Sequence, residues 1–74
     1  MTTKRTRDIE ATYSVSEFAD KLRRLADSLE SGKPFEIQIA GERVCVPVRA
    51  AFNIEHEREG KDEEIEFQLK WTNE

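Results

Sequence analysis

An α+β fold is what this sequence predicts: a mainly antiparallel sheet of about five strands, ordered β-α-β-β-β-β, with one amphipathic helix packed on one face. Three observations predict it. Residues Glu64–Trp71 alternate polar and apolar without a break, so a strand there sets Ile65, Phe67, Leu69 and Trp71 in one row. Glu64, Glu66, Gln68 and Lys70 then form the opposite, wetted row. Residues 15–29 repeat apolar side chains every three or four positions, the period of a helix with one greasy stripe. Further period-two stretches are broken by Gly-containing turns. One helix laid across one face of an antiparallel sheet satisfies both periodicities.

Taken in order, residues 1–7 read as a flexible basic terminus carrying Lys4, Arg5 and Arg7. A single domain spans 8–71, and 72–74 form a short tail. Ile9, Ala11 and Tyr13 alternate with Asp8, Glu10 and Thr12, which predicts a short opening strand. Ser14 and Glu17 have the spacing of a capping box. Val15, Phe18, Ala19, Leu22, Leu25, Ala26 and Leu29 give the stripe of a helix over about Val15–Ser31, ended by Gly32 and Pro34. Its outer face carries mixed charges, the pattern of a solvated surface.

Phe35, Ile37 and Ile39, then Val44, Val46 and Val48, predict a hairpin turning at Ala40-Gly41-Glu42. Pro47 donates nothing to a ladder and marks either the end of that second arm or a place on its unpaired side. Phe52, Ile54, His56 and Arg58 form a further strand, and Glu59–Glu63 is a charged turn into the last one. All strands after the helix are expected to form one meander. The opening strand is expected beside the closing one, with a place beside Phe35–Ile39 as the alternative. The predicted core anchors are Phe18, Leu22, Leu25, Phe67, Leu69 and Trp71.

An opening strand, the Phe18-Ala19…Leu22-Arg23-Arg24-Leu25-Ala26…Leu29 helix and a Gly-containing hairpin come first. An acidic–hydrophobic alternation then closes on Lys70-Trp71. Over about residues 9–71 this resembles the amphi-Trp domain, a small bacterial and archaeal family named for such a tail. The resemblance implies the fold and carries over no catalytic residue.

Composition bounds the function. The chain has 74 residues, 36% hydrophobic and 38% charged, with a net charge of −4. Residues 1–33 carry seven Lys/Arg against six Asp/Glu, while 34–74 carry five against ten. That balance argues against a general nucleic-acid binder. A domain this small buries only roughly 60% of its unfolded surface, so its stability is modest. No apolar run approaches a membrane span, no secretory leader is evident, and a lone cysteine fits a reducing compartment, so the expected location is cytoplasmic.

Catalytic constellations are missing from the sequence. His56, the single histidine, is flanked by Glu55 and Glu57 on the opposite face of its strand, and one histidine with Cys45 makes a thin metal set. Cys45 has no base in a recognisable motif. Glycines 32, 41 and 60 are too widely spaced for a phosphate loop. No enzyme activity, cofactor or metal is expected.

Two binding surfaces remain. Glu36, Glu55, Glu57, Glu64 and Glu66 are expected on the uncovered sheet face, either for solubility or as an acidic docking face for a basic partner. Lys4, Arg5, Arg7, Lys21, Arg23 and Arg24 are the candidate basic patch. The leading expectation is a small non-catalytic protein-interaction module, self-association through a sheet edge included. A nucleic-acid-associated protein using the basic terminus and helix face is the alternative.

Overall fold

The computed structural model describes residues 11–74. Ser14 starts the helix with a complete capping box. Its hydroxyl accepts from the Glu17 backbone N–H, and the Glu17 carboxylate accepts from the Ser14 backbone N–H at 3.0 Å. Helix α1 then runs Val15–Ser31, as the apolar period predicts. Gly32 adopts the left-handed conformation, and the Gly32 and Lys33 amides donate back to Leu29 and Ser28, closing a Schellman end.

Two antiparallel hairpins follow. In the first, β1 (Phe35–Ile39) pairs with β2 (Glu42–Val46), Phe35 opposite Val46 and Ile37 opposite Val44. In the second, β3 (Ala51–Glu59) pairs with β4 (Asp62–Lys70), Phe52 opposite Leu69, Ile54 opposite Phe67 and His56 opposite Ile65. Both turns have two residues. Ala40 and Gly41 both have positive φ, the type I′ pattern, whereas Gly60 alone does so in the second turn, the type II′ pattern.

The expected single five-stranded sheet is not what forms. Among the described residues one helix and four strands make two separate two-stranded sheets, and β2 does not hydrogen-bond to β3. The reason lies at Pro47. Lacking an N–H, it leaves the ladder, and the Ala50 amide donates to the Pro47 carbonyl in a turn that buries Ala50. The chain thereby changes direction instead of returning along β2. Arg49 fixes this corner by donating to the Thr72 carbonyl at 2.7 Å. Residues 11–14 carry no strand, and the remainder of the expected opening strand lies outside the described residues. Beside β1, Arg24 and Tyr13 donate side-chain hydrogen bonds to the Glu36 and Gln38 carbonyls.

The core is small and sits where the helix, the first hairpin and the corner meet. Phe35, Val46 and Ala50 are buried, and Leu25, Ile37, Leu69 and Trp71 pack against them. Three of the six expected anchors, Leu25, Leu69 and Trp71, therefore reach the core. Phe18, Leu22 and Phe67 do not, and each remains substantially exposed. The helix covers only the first hairpin because it is too narrow for more. Its diameter of about 10–12 Å spans roughly two strands at about 4.8 Å each.

Candidate functional site

The second hairpin places its side chains by strict alternation. Residues directly opposite in register share a face, so Phe52, Ile54, His56, Ile65, Phe67 and Leu69 lie together. Leu69, at the base, packs against the core. Further out, Ile54 and Ile65 are each 64% exposed and Phe67 60%. Among the described residues this is a broad apolar face with no cover from its own chain. It continues inward as a groove of about 600 Å³ between the hairpins and the helix. Phe18, Leu22, Leu25, Val44, Phe67 and Trp71 are among the residues that line the groove, with Tyr13 and Lys21. Trp71 sits half-buried, its indole N–H donating to Asn73 Oδ1 at 3.0 Å.

At the tip the apolar stripe ends in a polar cluster. Glu63 Oε2 lies 2.9 Å from both Arg58 Nη2 and His56 Nε2. The Arg58 guanidinium, and secondarily the His56 bond, hold the Glu63 carboxyl below its ordinary range. Sequence reading set His56 apart from Glu55, Glu57 and Glu59, and the register agrees. It missed Glu63, which the tight turn at Gly60 brings back across the strands.

The other face is a carboxylate ladder. Glu55 stands opposite Glu66, Glu57 opposite Glu64 and Glu59 opposite Asp62. Like charges at this spacing oppose one another, and Glu66, then Glu57, raise the Glu64 carboxyl above its ordinary range. Amides relieve the inner end: Asn53 donates to Gln68 Oε1 at 2.8 Å, and Gln68 Nε2 donates to both Glu66 and Glu55. Four of the five residues expected on an acidic face, Glu55, Glu57, Glu64 and Glu66, are thus together. Glu36 is on the first hairpin, 3.5 Å from Arg43, and takes no part.

Of the six residues of the expected basic patch, only Lys21, Arg23 and Arg24 lie among the described residues, all three on α1. Lys4, Arg5 and Arg7 lie outside the described residues. Lys21 sits 4.8 Å over the Tyr13 ring and Arg24 5.2 Å over the Phe35 ring, while Arg23 pairs with Asp20 at 2.9 Å. Cys45 is an exposed free thiol. Among the described residues no group of three or more His, Cys, Asp or Glu is placed to hold a metal ion, and no helix is long and apolar enough to cross a membrane.

Sequence reading also missed Phe52, Ile54 and Ile65 as surface residues. A signal was available: a single helix cannot cover four strands, so the strands farthest from it had to keep an open apolar face.

Fold and surface together define a one-helix, two-hairpin α+β domain whose outer hairpin is amphipathic and rooted in a half-buried tryptophan. The family model of the Amphi-Trp domain matches residues 1–74, the whole chain, and the protein belongs to that family. No curated protein and no solved structure matches the chain.

Proposed function

We propose that the protein is a small, non-catalytic protein-interaction module whose binding surface is the apolar face of β3–β4 with the adjoining groove. One observation carries this reading. A hairpin of two nine-residue strands keeps every residue of β3 exposed, Phe52 and Ile54 included, with Ile65 and Phe67 exposed beside them on β4. An isolated two-stranded hairpin is marginally stable in water and gains stability when its apolar face is packed. Exposed contiguous apolar surface of this kind marks interaction sites in soluble proteins. The carboxylate ladder keeps the opposite face solvated and directs association to the apolar side. The nucleic-acid reading has less support, since Lys21 and Arg24 are engaged on Tyr13, Phe35 and the Glu36 carbonyl.

Affinity capture from the native cell tests the reading, using the wild-type chain, Phe67→Asp and Glu57→Gln as baits. A protein held by wild type and Glu57→Gln, lost with Phe67→Asp and resistant to nuclease, is the expected result. A set released by nuclease, or retained equally by Phe67→Asp, contradicts it.

A further inference from the structure

Resting on that reading, we infer that the occupant of the apolar face is a second copy of this chain, the two β3–β4 hairpins packing face to face about a twofold axis. Area is the first argument. Phe18, Leu22, Phe52, Ile54, Ile65 and Phe67 are each 40–64% exposed. At about 150–250 Å² for an aromatic side chain and somewhat less for an aliphatic one, they leave roughly 600 Å² uncovered. A stable interface takes about 800 Å² from each partner. The polar rim supplied by Lys21, His56, Arg58 and Glu63 brings the patch to that size.

Shape is the second. The Cα radius of gyration is 14.2 Å, against about 11 Å for a compact chain of this length. The outer hairpin stands away from the core, as an arm does when its packing partner is another molecule.

Charge selects the face and the partner. Pairing through β3–β4 carboxylates would set two self-repelling ladders against each other, whereas pairing through the apolar faces leaves both ladders outside. The apolar face carries its own balanced tip, Arg58 and His56 around Glu63. A twofold interface presents the same patch on both sides, and an apolar stripe with a mixed-charge rim is complementary to itself. Two twisted two-stranded sheets stacked about 10 Å apart form a sandwich, which is the cover a lone hairpin needs. The chain's own first ten residues are a poorer occupant, offering only Met1 and Ile9 as large apolar side chains.

Sedimentation equilibrium of the full chain from about 1 to 500 μM, with isotope-filtered NOEs on a mixture of labelled and unlabelled chains, tests the inference. The expected results are a mass twice the 8.6 kDa of one chain and intermolecular NOEs linking Ile54, Ile65 and Phe67. Phe67→Asp is expected to weaken the dimer by more than about tenfold. Because Phe67 is exposed within its own chain, a folded monomeric variant is a further expected outcome, read by helical circular dichroism. A chain of 8.6 kDa at every concentration overturns the inference. So does a dimer whose NOEs lie along strand edges or the carboxylate face. If the chain is monomeric while captured protein still depends on Phe67, the second copy is excluded and the interaction-module reading stands. If neither dimer nor Phe67-dependent capture is found, both fall.

Discussion

Phe35 is 6% exposed at the junction of helix, hairpin and corner, and truncating it removes the largest side chain of the buried cluster. Phe35→Ala is expected to destabilise the domain by roughly 3–5 kcal/mol in urea unfolding, whereas a change under 1 kcal/mol would move the core elsewhere. Trp71 packs against the same cluster from the end of β4 while keeping its N–H on Asn73. Ala40 holds a φ of 51°, a region that costs a non-glycine residue about 1 kcal/mol or more. Ala40→Gly is therefore expected to stabilise the first hairpin by up to about 1 kcal/mol, and a loss of stability would contradict the turn geometry. The carboxylates give a pH signature with two signs. Glu64 is raised above the ordinary 4.5 by its like-charged neighbours, so its folded-state penalty is relieved as pH falls through that raised value. Glu17, held by the Ser14 amide, and Glu63, held by Arg58, are lowered; their stabilisation persists above 4.5 and is lost as pH falls below it. Urea midpoints are expected to rise slightly from neutral pH toward 5 and to fall below 4. The rise is expected to disappear in Glu64→Gln.

At the scale of elements, legibility followed locality. The capping box and the helix bounds are set by residues within a few positions of each other and stand where the sequence reading puts them, while the turns are tighter than expected, Ala40-Gly41 within Ala40–Glu42 and Gly60-Lys61 within Glu59–Glu63. The partition of strands into sheets is not local. Period two in residues 35–71 says which side chains share a face, but not which edges pair. Pro47 marks the break without revealing that Ala50 turns inward. The same limit hid the Glu63–His56 contact, which depends on the register set by Gly60, and split the six expected anchors between core and groove. Ser14→Ala tests the part that was legible. Loss of the cap is expected to cost about 1 kcal/mol of stability while leaving association through β3–β4 unchanged, since Ser14 takes no part in that face. A cap variant that unfolds the hairpins alone would contradict this division.

The whole molecule is two bodies of unequal self-sufficiency. The helix, the first hairpin and the Pro47–Ala50 corner share one core. The second hairpin touches that core only at its base, through Leu69 and Trp71. It then extends with carboxylates on one side and Ile54, Ile65 and Phe67 bare on the other. We propose that a second copy of the chain covers the bare side. Amide hydrogen exchange on the full chain, diluted from about 500 to 5 μM, tests that claim most directly. The β3–β4 amides are expected to lose protection on dilution while those of α1 do not. Protection of β3–β4 that equals that of α1 and is indifferent to dilution would contradict it.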